Sequence, residues 1–213
     1  MCIKKIKNNY TTSYFKKLRK SYSITSKKME NQNCYIEFEI DDYEKFNYLK
    51  HTFELLKAIK NNQEPQSDQF WINKFPKYVL EKFYFLETDL KPDFETAKTE
   101  KFNWHFYSLI ELLETNYEIE YISCIEIEKN KGKIEYFPYS YPYGGISGLV
   151  TFINSFECKP IKIDDGTSLY EIAFLESGDF SITDLEDDKK QNSSEKLFDA
   201  SKLLLKFVNR LKR

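Results

Sequence analysis

The sequence predicts an α+β domain: a mostly antiparallel sheet of about five strands, helices packed on it, and a helix closing the C-terminus. Three observations carry that reading. Residues Glu118 to Phe174 read as strand, turn, strand, glycine loop, helix, strand, turn, strand, a ββαββ run. Cys34 to Ile40 alternates Tyr35, Glu37 and Glu39 with Ile36, Phe38 and Ile40, the period of a half-buried strand. Between the two, from Asp42 to Thr115, apolar residues recur at helical spacing.

After the first strand, Asp41-Asp42 suits a helix N-terminus, and Phe46, Leu49, Phe53, Leu56 and Ile59 form the stripe of the helix that follows. Asn61 to Ser67 breaks it. A second helix is expected from near Asp68 to Leu86, interrupted at Pro76 and burying Trp71, Phe75, Val79 and Phe83. Leu90-Lys91-Pro92-Asp93 marks a boundary. A third helix, Glu95 to Thr115, places Phe102, Phe106, Leu109, Ile110 and Leu113 on one side.

The strand Glu118 to Glu128 is expected to show Ile119, Tyr121, Ser123, Ile125 and Ile127 on one face and a largely acidic set on the other. Lys129-Asn130-Lys131-Gly132 supplies residues that tolerate positive φ and turns the chain into Lys133 to Phe137. In Pro138 to Gly145, two prolines withhold backbone donors and two glycines permit tight reversal. Ile146, Leu149, Val150, Ile153 and Phe156 then fit a short helix, although their β-branched content also suits a strand. Lys159 to Ile163 and Ser168 to Phe174 pair around Asp164-Asp165-Gly166-Thr167. Glu176 to Ser194 is acidic and polar, a loop, and Asn192 with Glu195 caps a terminal helix carrying Leu197, Leu204, Val208 and Leu211.

Aromatic residues make up 17% of the 213, which argues against disorder over most of the length. No stretch approaches the roughly 20 apolar residues of a membrane helix, so no membrane partner is expected. Charge is divided unevenly. Nine of the 32 basic residues and none of the 34 acidic ones fall within residues 1–28, leaving 23 against 34 and a net −11 for 29–213. Residues 1–28 read as a disordered basic leader ahead of Met29, with a nucleic-acid or lipid-binding arm and a transit peptide as the other readings. Residues 29–213 read as a single domain. Cys2, Cys34, Cys124 and Cys158 lack CxxC spacing, and reduced thiols in a cytoplasmic protein are the expectation.

Chemistry is sparse. His51 and His105 are the two imidazoles, the first on a solvated helix position, the second in an aromatic-rich helix with no partner visible in sequence. Gly144-Gly145-Ile146-Ser147-Gly148 lacks the glycine spacing of a nucleophile elbow and the lysine of a phosphate loop. A tight turn is preferred there over an anion site. Asp164 and Asp165 suit a hard metal or a hairpin turn, and the turn is preferred. Glu157-Cys158-Lys159 has a nuclease-like Glu-x-Lys spacing without the upstream aspartate such enzymes need. Tyr136, Tyr139, Tyr141 and Tyr143 offer rigid contact area around two prolines, and the acidic body favours a protein over nucleic acid as what they touch.

The order Tyr141-Pro142-Tyr143-Gly144-Gly145, then Leu149 to Phe156, then Asp164-Asp165-Gly166-Thr167 resembles small bacterial cytosolic proteins, some of them similar to immunity proteins that neutralise a toxin from a competing cell. The resemblance covers about a third of the chain and carries over no catalytic residue. It implies a non-enzymatic protein-binding chain without a cofactor. An acidic body complements a basic toxin, with Tyr139, Tyr141, Tyr143, Glu176 and Asp179 as expected contacts. The rival expectation is a small-ligand or metal-binding enzyme using Gly144, Gly145, Asp164 and Asp165. Nucleic acid is expected only through the basic leader.

Overall fold

The computed structural model describes residues 33–100, 103–139, 146–175 and 180–185. Among the described residues, six strands form one antiparallel sheet: β1 (Cys34–Ile40), β2 (Ile119–Glu128), β3 (Lys131–Pro138), β4 (Cys158–Asp164), β5 (Leu169–Phe174) and β6 (Phe180–Asp184), in the spatial order β2-β3-β1-β4-β5-β6. Five helices accompany them: α1 (Tyr43–Asn62), α2 (Asp68–Lys74), α3 (Lys77–Leu80), α4 (Phe106–Thr115) and α5 (Ile146–Ser155). The first four strands, with helices in both crossovers, make the split βαβ arrangement in the order β4-β1-β3-β2. β5 and β6 extend the β4 side.

Alternation decides which way β1 faces. Cys34, Ile36, Phe38 and Ile40 are buried, and they meet the apolar stripes of α1 (Phe46, Leu49, Phe53, Leu56, Ile59), α4 and α5 in one core. The opposite face is charged, with Lys162 near Glu37 at 3.9 Å, Lys159 near Glu39 at 3.6 Å and Lys133 on Glu135 at 2.8 Å. α1 begins as its sequence demands: the Asp42 carboxylate accepts from the amides of Glu44 (2.8 Å) and Lys45 (3.3 Å). Trp71 of α2 donates its indole N–H to the buried Glu114 of α4 at 2.9 Å, and the Gln66 amide donates to the same oxygen.

The structure departs from the expectations at six places. The sheet has six strands, because the expected loop 176–194 contains β6, where Phe180-Ser181-Ile182 alternates and pairs with β5. In β2 the register shifts between Tyr121 and Ser123, a β-bulge. Cys124 therefore turns into the core, and Ile125 and Ile127 come out, 38% and 40% exposed. The β2–β3 turn is Lys129-Asn130, with Asn130 at φ 64°, and Gly132 lies inside β3. The second helix is interrupted at Phe75-Pro76 as expected, giving α2 and α3, and buries Trp71, Phe75, Val79 and Phe83, but it ends at Leu80 and not at Leu86. The third helix starts only at Phe106. His105 is its N-cap residue, bridged to Tyr84, and its ring is held by Asp89 at 2.6 Å and Ser108 at 2.8 Å. The C-terminal helix lies outside the described residues.

α5 ends at Ser155, and two residues on Glu157, at φ 60°, takes the left-handed conformation that follows a helix C-terminus. Its carboxylate lies between Lys45 of α1 and Lys82, the latter at 3.0 Å. Those two hydrogen bonds outweigh its partial burial and hold the carboxyl below the usual range.

Gly132 pairs with Phe38, and a Cβ built on it would lie 2.3 Å from the Phe38 ring. Gly132→Ala should therefore lower unfolding stability by about 1–3 kcal/mol, the usual cost of overpacking. Combined with Phe38→Leu it should cost less than the two single effects added, which urea titration of the four proteins would show.

Candidate functional site

β2 is an edge strand of 10 residues, and its character changes along its length. The first half is anchored: Tyr121 is buried beneath α1 and donates its hydroxyl to the Leu113 carbonyl at 2.9 Å, and Lys57 of α1 donates to the Ile122 carbonyl at the bulge at 2.7 Å. The second half, Ile125–Glu128, is exposed at every position. Ile125 pairs with Lys133 on the face opposite the helices, and Ile127 falls at a second register shift, between Glu126 and Glu128. Tyr43, 41% exposed, donates to Glu126 at 2.5 Å and packs its ring edge-on against Phe46. The result is a ridge of apolar side chains beside Glu126, which takes the Tyr43 hydroxyl, and Glu128, which pairs with Lys131 at 2.7 Å.

Of the residues expected from sequence to make contacts, Tyr139 lies on this same strand's flank. Its amide donates to the Glu118 carbonyl at 2.7 Å, its hydroxyl donates to Glu120, and its ring meets Phe137 edge-on at 5.6 Å. Tyr141, Tyr143, Gly144, Gly145, Glu176 and Asp179 lie outside the described residues. Asp164 and Asp165 sit at the β4–β5 turn. Asp164 accepts from the Gly166 amide at 2.9 Å. One oxygen of Asp165, Oδ1, accepts from the Thr167 amide (2.8 Å), the Thr167 hydroxyl (2.7 Å) and the Ser168 amide (3.0 Å). Gly166 occupies φ 83°, so the turn needs both its carboxylates and its glycine.

Sequence reasoning passed over Lys60. It ends the exposed side of α1 on paper, but in the fold it is only 8% exposed, with its ammonium 4.3 Å from the Tyr121 ring centre and donating to the Asn116 carbonyl. Burial pushes its pKa from 10.5 down to about 7, against an opposing pull from Glu120. A basic residue in the last helical turn gives no sign of this, because the cover is supplied by β2 and the α4–β2 connection.

The thiols of Cys34, Cys124 and Cys158 are buried and free, and burial raises them to about 11, 12 and 12. Among the described residues no three His, Cys, Asp or Glu side chains converge as a metal site, and no helix is long and apolar enough to cross a membrane. No protein-family model, curated protein or solved structure matches the chain. A split βαβ topology hosts many unrelated activities, so function has to be argued from side chains.

Two outcomes follow. Asp165→Ala should cost about 1–3 kcal/mol, because three donors lose one acceptor together, as read from denaturant midpoints. Lys60 binds a proton less readily folded than unfolded, so stability rises with pH between about 7 and 10.5, and below about 7 the buried charge is fully present. Relative to Lys60→Met, the natural chain should therefore gain stability across that window with a slope approaching ~1.4 kcal/mol per pH unit, and the difference should be flat below it.

Proposed function

We propose that the chain is a protein-binding protein of the immunity type, which neutralises a basic protein partner by covering it with the β2 edge. The observation that carries this reading is the pair Ile125 and Ile127, exposed on an acidic edge strand. Apolar side chains give a partner something to desolvate, and flanking carboxylates steer a basic surface towards them and disfavour acidic ones. The net −11 of residues 29–213 adds a long-range field of the same sign. At about 3.3 Å per residue the strand presents an edge of about 33 Å, long enough for one side of a standard interface. Tyr139 contributes rigid area at the other end of that edge.

The rival reading, a small-ligand or metal-binding enzyme, draws on Asp164 and Asp165. Oxygens of both are engaged by their own turn.

The test is affinity capture with the full chain and with an Ile125→Lys/Ile127→Lys double variant, each at low and high salt. A basic protein captured stoichiometrically should bind the variant at least about 30-fold more weakly, the factor of a ~2 kcal/mol hot spot. Its association rate with the natural chain should fall as salt rises. Because both side chains are exposed, the variant should melt with the natural chain. Equal affinity for both proteins, or no protein captured, would overturn the reading.

A further inference from the structure

Independently of any binding partner, Asp89, His105 and Ser108 stand in the order of a nucleophile relay. We propose that they form a catalytic site in which Ser108 Oγ takes an acyl group from an activated carboxylic ester.

His105 Nε2 lies 2.6 Å from Asp89 Oδ2, and His105 Nδ1 lies 2.8 Å from Ser108 Oγ. The carboxylate fixes the tautomer. With the proton on Nε2 directed at Asp89, Nδ1 is left as the acceptor for the Ser108 hydroxyl. Asp89 is itself positioned, since the same oxygen accepts the Leu86 amide at 2.6 Å. Burial raises its carboxyl, but the bonds from His105 and Leu86 outweigh that and keep it on the ionised side. Asp89 and His105 are sheltered, with 15% and 14% of their side chains exposed, whereas Ser108 is open to solvent. The imidazole is flanked by the rings of Tyr84 at 5.4 Å and Tyr107 at 5.9 Å. A base shielded from water beside an exposed hydroxyl is what nucleophilic catalysis needs.

The start of α4 supplies the remaining part. The Phe106 amide is taken by the Tyr84 carbonyl at 3.2 Å. Tyr107 and Ser108 follow it in the first turn, where amides have no acceptor inside the helix, and no side chain caps this end. Those two amides, with the positive end of the helix behind them, are the donors for an oxyanion.

The chemistry balances without another reagent. Ser108 Oγ bonds to the acyl carbon as its proton passes to His105 Nδ1, and the carbon–oxygen bond to the alcohol breaks with that proton going to the leaving oxygen. Water then adds to the acyl carbon, giving its proton to Nδ1, and the bond to Oγ breaks as Oγ recovers the proton. Asp89 is a positioning residue that stabilises the imidazolium in both halves.

The full chain would be incubated with a fluorophosphonate probe, its adduct mapped by peptide mass spectrometry, and p-nitrophenyl acetate hydrolysis followed alongside. The expected result is an adduct on Ser108, with label and hydrolysis abolished in Ser108→Ala and slowed about 100-fold or more in His105→Gln. Asp89→Asn should slow both through kcat while leaving KM for the ester within about twofold and the melting temperature unchanged, whereas a purely structural role would lower the melting temperature along with the rate. No adduct on Ser108 in the natural chain, or equal labelling of folded His105→Gln, would overturn the proposal. If His105→Gln fails to fold, the natural chain against Ser108→Ala, an exposed change, still decides it.

Discussion

The sheet depends on one absence, the side chain that Gly132 does not have. Phe38, in the middle of β1, lies over Gly132 of β3 on one side and opposite Pro160 of β4 on the other, and its ring reaches Phe46 of α1 at 6.0 Å. A slip of one residue between β1 and β3 would bring Lys131 or Lys133 beneath that ring. Register is therefore fixed by shape at the centre, and the alternation of Cys34, Ile36 and Ile40 into the core follows from it. The helices settle on a face already decided. The same close approach explains why a glycine occupies a strand interior, where it would otherwise weaken pairing.

Local pattern made α1, the β2–β3 hairpin and the β4–β5 turn legible, because each is decided by neighbours in sequence: Asp42 caps its own helix, and Asp165 closes its own turn. The stretch from Glu81 to His105 was not legible. Its aromatic residues are spaced for a helix, but its course is set by backbone bonds between distant residues, the Ala97 amide to the Phe83 carbonyl and the Phe106 amide to the Tyr84 carbonyl. The bulge at Ile122 was hidden for a similar reason, since a lysine from α1 holds the displaced carbonyl. The candidate surface was legible in part. Tyr139 stood out by composition, whereas Ile125 and Ile127 looked like core until the bulge turned them outward. His105 seemed partnerless because Asp89 is brought to it by that same unpatterned stretch.

The acidic residues divide by task. Asp42, Asp89, Glu114, Asp165 and Glu157 hold backbone amides, an indole, an imidazole or lysines, and so fix the joints between elements. On the exposed edge, Glu126 takes the Tyr43 hydroxyl and Glu128 pairs with Lys131, and Glu118 stands exposed just ahead of the strand. Charge on an edge strand serves two ends at once: it discourages pairing with a second copy of the same acidic strand, and it favours a partner of opposite sign. A bulge in the middle of that strand adds to the first effect, which leaves side chains rather than backbone as the means of recognition.

The placement of β1 has a consequence for how the molecule is made. Cys34 pairs with Tyr136, and Tyr35 with Asp164, so the central strand emerges from the ribosome long before either neighbour exists. Until then its Ile36, Phe38 and Ile40 have only α1 and the short helices to lie against. Closing so long a loop is entropically costly before any contact rewards it, and topologies of this kind fold slowly. During synthesis a strand with four buried side chains is thus the one that waits longest for its partners, and a nascent chain stalled before residue 131 would carry it unpaired.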